Sequence, residues 1–253
     1  MADLFLLSEA QMRRIEPYFP LSHGVARVDD RLVISGIVFV IRNGLRWRDA
    51  PREYGPHKTI YNRFVRWSRL GVFNKIFAEL ARKAGKPSRL MIDATHLKAH
   101  RTAASLLKKG LFPRRIGRTK GGLNSKLHAV CDGQGRPIIM LLSEGQMSDY
   151  KGAALMIDAL PLPPAKQLLG DKGYDADWFR QALAARGITP CIPSKSNRKK
   201  PIDHDRVLYR QRHKIENMFG RIKDWRRIHT RYDRCAHTFM SAICIAAAVI
   251  FWL

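Results

Sequence analysis

The sequence predicts an α/β protein in which a mixed sheet flanked by helices follows a small all-helical module. Three observations carry this. The first 85 or so residues repeat apolar side chains at helical spacing, strand-like runs begin after Gly85-Lys86-Pro87-Ser88, and from residue 151 helices and strands alternate. A chain of 253 residues accommodates one large domain or two modest ones. The change of pattern divides it into a helical domain at 1–85 and a sheet domain at 86–253.

Ser8-Glu9-Ala10-Gln11 spells a capping box, and Met12, Ile15 and Tyr18 follow at helical spacing. Asp29 or Asp30 opens a second helix through Leu32, Ile34, Val38 and Ile41, which Asn43-Gly44 ends. A third begins near His57 or Lys58, sets Ile60, Tyr61, Phe64 and Trp67 on one side, carries Arg63, Arg66 and Arg69, and stops at Gly71. A fourth runs from Val72 to Lys83. Short helices with a late arginine-rich one have the form of a helix-turn-helix module, and the three arginines are DNA-contact candidates. A helical oligomerisation bundle with a solvated basic face has the same spelling.

The strand-like runs are Leu90 to Asp93, Lys126 to Val130 and Pro137 to Leu142, with Asp132-Gly133-Gln134-Gly135 as a hairpin turn between the last two. A helix over Lys151 to Leu160, a strand over Gln167 to Gly170, a helix over Ala176 to Arg186 and a strand over Ile188 to Pro193 complete the sheet domain. Residues 101–126 contain eight Lys/Arg and no acid, punctuated by Gly110, Gly117, Gly121 and Gly122. They read as a basic loop able to lie along a phosphate backbone, with Arg114, Arg115, Arg118 and Lys120 as contacts; a merely solvated loop is the alternative. Lys195 to Arg206 is a second such loop. The chain's last 16 residues, Thr238 to Leu253, carry no charge. That is short of the roughly 20 a membrane span needs, so a buried core helix is expected there and no membrane partner.

Lys+Arg number 46 and Asp+Glu 21, a formal net charge of +25. This argues against an acidic disordered tail and an ordinary metabolic enzyme, and for a polyanionic partner: nucleic acid first, an anionic membrane surface second. A hydrophobic fraction of 45% supports a real core. Cys131, Cys191, Cys235 and Cys244 are scattered without CxxC or zinc-finger spacing, and the start of the chain lacks a basic secretory n-region. Reduced thiols in a cytoplasmic protein are expected.

Two acids follow strand-like runs, Asp93 in MIDATH and Asp171 in LLGDKGYD, where the sites of open α/β sheets assemble. Either acid alone is more often a helix cap or a salt-bridge partner, and Gly173-Tyr174-Asp175 reads also as the cap of the next helix. Tyr209, Arg212, Glu216 and Lys223 spell Y-x2-R-x3-E-x6-K, which on one helix falls within an arc of roughly 60°. Ile215, Phe219 and Ile222 form the apolar stripe beside it, while an ordinary surface pair, Arg212–Glu216, is the bland reading of the same residues. His96 and His100 would share a helix face, but no third zinc ligand is evident; His96 is expected beside the acids or facing DNA. Trp225 is expected in the core, with stacking on an unpaired base as the alternative.

The order Asp93, Asp171, Glu216 with that signature resembles the DDE transposases of bacterial insertion sequences, closest to the insertion-sequence-five group. IDATHLKAH, IGRTKGGLNSKLHAV, LLGDKGYDAD, YRQRHKIENMFGRIKDWRRI and HTFMSAICIAAAVIFWL carry the resemblance over nearly the whole chain. It implies a ribonuclease-H-like fold, with Asp93, Asp171 and Glu216 as catalytic residues and ligands of two divalent metals, Mg²⁺ with Mn²⁺ able to substitute. The residue chemistry agrees, since converging carboxylates repel and are relieved by hard cations with oxygen ligands. The implied activity is binding of terminal inverted repeats, cleavage and transfer of the 3′-OH to target DNA by a two-metal displacement. Arg212 and Lys223 would contact DNA or orient the helix, with Tyr209 and His96 in support. Double-stranded DNA and a homodimer or higher assembly on it are the implied partners, in the nucleoid-associated cytoplasm. A catalytically idle DNA-binding protein and a plain metal-dependent nuclease are the alternatives.

Overall fold

The computed structural model describes residues 4–21, 28–105, 113–160 and 165–253. In chain order the elements are α1 (Glu9–Ile15), α2 (Asp30–Asn43), α3 (His57–Arg69), α4 (Val72–Lys83), β1 (Arg89–Ala99), α5 (Arg101–Ala104), β2 (Gly117–Thr119), β3 (Gly122–Asp132) and β4 (Pro137–Glu144). Then come α6 (Asp149–Met156), β5 (Gln167–Gly170), α7 (Asp177–Ala184), β6 (Thr189–Cys191), α8 (Arg206–Tyr209), α9 (His213–Lys223), α10 (Arg226–His229), β7 (Thr230–Arg231) and α11 (Ala236–Phe251).

Two compact units result, one of Ala81–Lys98 and Arg115–Arg221, the other of Met1–Leu80, Ala99–Arg114 and Ile222–Leu253. The helical unit therefore takes in two later segments besides the N-terminal 80 residues, unlike the single division expected near residue 85. The reason is visible in α11, which is apolar nearly all round and buried from Phe239 to Ala248 apart from Met240. A helix of that kind needs other helices around it, and it finds α2 and α3.

In the sheet unit the strands run β2-β3-β1-β5-β6, with β4 also paired to β3. β1 and β3, and β3 and β4, are antiparallel; β1 and β5, and β5 and β6, are parallel. The Asp132 turn behaves as its spelling requires: Asp132 Oδ1 accepts from Gln134 N at 2.9 Å and Arg136 N at 2.9 Å, and Gly135 takes φ +82°. β1 and β3 each extend to 11 residues, well past their apolar cores. Polar Asn124, Ser125 and Lys126 interrupt the hydrophobic run but stay in the ladder opposite Lys98, Leu97 and His96. The basic segment 101–126 is correspondingly less loop than expected: α5, then β2 paired with the start of β3 in a hairpin. Its part at 106–112, with Gly110, lies outside the described residues. Leu90, Ile92, Val130, Leu168, Met156, Phe179 and Leu183 pack a core between the sheet and α6 and α7.

In the helical unit the capping box forms as spelled, with Gln11 N donating to Ser8 Oγ at 3.1 Å and Ser8 N to Gln11 Oε1 at 2.8 Å. Gly44 ends α2 in the left-handed region at φ +73°. Arg231 is fully buried, and its guanidinium donates to the carbonyls of Asp233 at 2.8 Å and Arg114 at 2.6 Å, with its charge 4.8 Å from the Phe239 ring. Burial lowers its pKa to about 10. Trp225 is buried, as expected of a core residue. The cysteines among the described residues are free, and no described helix is long and apolar enough to cross a membrane.

Candidate active site

The parallel register of β1 and β5 pairs Ile92 with Gly170. Asp93 and Asp171 therefore come next on neighbouring strands, about 4.8 Å apart in backbone spacing, where β5 ends. Asp93 Oδ1 accepts from its neighbour's amide, Ala94 N, at 2.8 Å, and Oδ2 accepts from Arg212 Nη1 at 2.8 Å. Arg212 Nη2 donates to Glu216 Oε1, so one guanidinium joins two of the three carboxylates. Asp171 Oδ1 accepts from Gly173 N at 2.8 Å and so caps the 3₁₀ turn Lys172–Tyr174.

Burial pushes the Asp93 carboxyl up, the Asp171 charge adds to this, and the Ala94 amide and Arg212 work against it. Arg212 goes up as well: burial alone would lower it, but the charges of Asp93, Tyr209 and Glu216 outweigh that. The Arg212 guanidinium lies 6.0 Å from the Tyr209 ring, and burial raises the Tyr209 phenol.

The signature helix is not one continuous α-helix. Tyr209 ends α8, Arg210–Arg212 form a 3₁₀ turn, and α9 carries Glu216 and ends at Lys223. A single α-helical wheel thus holds only from His213 onward, although Arg212 and Glu216 still meet at i,i+4 spacing. Ile215, Met218 and Phe219 are buried as its apolar stripe, and burial lowers the Lys223 ammonium.

His96 and His100 do not share a helix. His96 lies in β1, three residues from Asp93, so strand alternation turns it to the opposite face, where its Nε2 lies 3.0 Å from the Gly145 carbonyl oxygen. Asp175 is no helix cap either; it is a buried hub that accepts from Arg180 Nε, Arg198 Nε and Lys195 N, each at 2.8 Å. Burial would raise its carboxyl, but these donors outweigh it and lower the pKa to about 2.

One neighbour of the site has no signal in the spacing. Asp149 pairs with Lys126 at 2.6 Å, and a Cβ on Gly173 would stand 3.6 Å from Asp149 Oδ2 and 2.8 Å from Asp171 Oδ1. Only the sheet brings Lys126 and Asp149 to the Asp171 turn.

Of the arginines on α3, Arg66 and Arg69 are exposed, whereas Arg63 is ion-paired with Asp30 and lies 5.6 Å from the Trp67 ring. Arg114 donates to the Ala104 carbonyl at 3.0 Å, and exposed Arg115 pairs with Glu144 at 3.1 Å. Arg118 on β2 and Lys120 in the following turn are exposed.

Hard oxygen donors on adjacent strands, with a guanidinium bridging Asp93 to Glu216, are of the kind that suits a divalent cation. Among the described residues, no three His, Cys, Asp or Glu side chains are close enough to hold one ion as they stand.

Antiparallel β4-β3-β1 continued by parallel β5 and β6, with Asp93 inside β1 and Asp171 just past the end of β5, defines a ribonuclease-H-like protein. Residues 84–251 match the family described as "Transposase DDE domain", and residues 7–77 that described as "Putative transposase of IS4/5 family". The chain belongs to the DDE transposases of insertion sequences, enzymes that cleave and transfer DNA and depend on divalent metal. It is 32% identical to "Putative transposase for insertion sequence element IS6501" of Brucella ovis over 52% of this chain and 99% of that protein. It is 29% identical to "Putative transposase for insertion sequence element IS402" of Burkholderia cepacia over 55% of this chain and 72% of that one. A piggyBac transposase in a synaptic complex with hairpin DNA shares the fold at a TM-score of 0.54 and 10% identity, over 94% of this chain and 69% of that one.

Proposed function

We propose that this transposase binds the terminal inverted repeats of its own element as a homodimer or higher assembly, cleaves at the ends and transfers the 3′-OH to target DNA. The observation that carries the reading is the β1–β5 register, which sets Asp93 beside Asp171 while Arg212 ties Asp93 to Glu216. Those three carboxylates would hold Mg²⁺, with Mn²⁺ able to substitute. Such ions supply acidity to an attacking hydroxyl and charge relief to a leaving 3′-oxygen.

The chain's own residues position the rest. Arg212 bridges Asp93 and Glu216 and so holds the two carboxylates together before DNA arrives. Tyr209, against Arg212, packs near the terminal nucleotide, and Lys223 contacts phosphate. Arg66, Arg69, Arg118 and Lys120 supply exposed positive charge to the duplex, so binding should weaken steeply with salt.

The test compares wild type with Asp171→Ala on labelled DNA carrying candidate ends, with Mg²⁺ or Mn²⁺. End cleavage by wild type alone, with binding retained in both, is expected. Binding without cleavage by either protein, on ends that the element uses, would make the chain an idle DNA-binding protein.

A further inference from the structure

The helical unit contains a cleft of about 420 Å³ whose lining includes Trp47, Tyr61, Tyr232, Arg69, Arg227 and Arg234. None of its residues belongs to the unit that holds Asp93, Asp171 and Glu216. Two features set it apart from an ordinary surface hollow.

Its rings are presented and braced. Tyr61 and Tyr232 are 44% and 41% exposed, while Trp47 stacks on Phe64 at 4.8 Å and lies 5.6 Å from Tyr61. Tyr232 leans on the His100 ring at 5.0 Å. Singly exposed aromatics need no explanation, but two at one cleft beside a braced tryptophan, each more than two-fifths exposed, offer accessible ring surface in one place.

The cleft is also cationic. Three arginines line it against one aspartate, Asp233. Buried Arg227 lies 5.3 Å from the Trp47 ring and 5.9 Å from the Tyr232 ring, fixed by the Leu45 carbonyl at 2.9 Å and by Asp233 at 3.4 Å. Arg69 and Arg234 are exposed.

We infer that this cleft binds an unpaired nucleotide, its base stacked on Tyr61 or Tyr232 and its phosphate met by Arg69 or Arg234. Flat π-faces beside guanidinium groups are what single-stranded nucleic acid requires, because every base has a π-face and every nucleotide a negative charge. An acidic protein segment would use the arginines but leave the rings unused, and an apolar one the reverse. The inference rests on the DNA-binding reading above and adds a single-strand subsite to it.

The experiment uses the full chain without divalent metal and reads the anisotropy of a labelled duplex that is either blunt or carries a short single-stranded overhang. Wild type should prefer the overhang about tenfold, the effect of one stacked base. Tyr61→Ala or Tyr232→Ala should remove most of that preference and leave blunt-duplex affinity unchanged, while Tyr61→Phe and Tyr232→Phe keep it. No preference in wild type, or a preference that survives both alanine variants, overturns the inference while blunt-duplex binding upholds the DNA-binding reading. Failure to bind either duplex overturns both. Iododeoxyuridine in the overhang supplies a second readout: photo-crosslinks at Trp47, Tyr61 or Tyr232 support the site, and crosslinks confined elsewhere refute it.

Discussion

Replacing Arg212 by Gln should make the DNA-free protein bind Mn²⁺ more tightly while making the metal-free protein less stable. The guanidinium occupies Asp93 Oδ2 at 2.8 Å and also engages Glu216, so a divalent ion entering between these carboxylates competes with it. Charges roughly 4 Å apart at an effective dielectric constant of about 20 attract by about 4 kcal/mol. The Arg212 and Asp93 side chains are each 18% exposed, and desolvation offsets much of that attraction, leaving a net of about 1–2 kcal/mol. Since about 1.4 kcal/mol is tenfold, Mn²⁺ affinity should rise on the order of tenfold. Stability without metal should fall by about 1–3 kcal/mol, because Asp93 then faces Asp171 uncompensated. Titration calorimetry with Mn²⁺ and thermal melts with and without the ion measure both quantities, and Arg212→Lys should fall between. A Gln variant that binds Mn²⁺ no more tightly than wild type would show that Arg212 does not occupy the cation's place.

His128 is fully buried, its Nε2 lies 2.8 Å from Ser143 Oγ, and burial lowers its pKa from 6.5 to about 4. The unfolded chain takes up that proton first as pH falls, so its stabilisation is complete above pH 6.5 and declines towards pH 4. The loss is about 3 kcal/mol in urea unfolding, and a His128→Gln variant should lack that part of the slope. Asp175 has the acid's sign: its contribution is full above its unfolded pKa and is lost as pH falls through about 2. Asp175→Ala, which strands buried Arg180, should cost about 3–5 kcal/mol in the same assay. Arg66→Ala and Arg69→Ala should each reduce the salt slope of duplex binding by about 1 in anisotropy titrations. Arg63→Ala should chiefly lower the melting temperature, because its guanidinium is engaged by Asp30.

The N-terminal helices were legible because their signals are local. The Ser8 cap and the Gly44 stop act within a few residues, and the structure places both as spelled. The strands beside the candidate acids were legible too, since the short apolar runs before Asp93 and Asp171 do form β1 and β5. The lengths of β1 and β3 were hidden because His96, Asn124 and Ser125 lie outside the apolar runs and are held by the partner strand's hydrogen bonds. The same distinction separates Arg212–Glu216, a contact one helical turn long, from Arg212–Asp93, which joins residues 119 positions apart. Sequence alone determined which residues carry charge and which segments could be helix or strand. Only tertiary structure decided that 222–253 join the helical unit, that His96 turns away from Asp93, and that Asp149 stands beside the Asp171 turn. Each depends on what a segment packs against, and no window along the chain contains that partner.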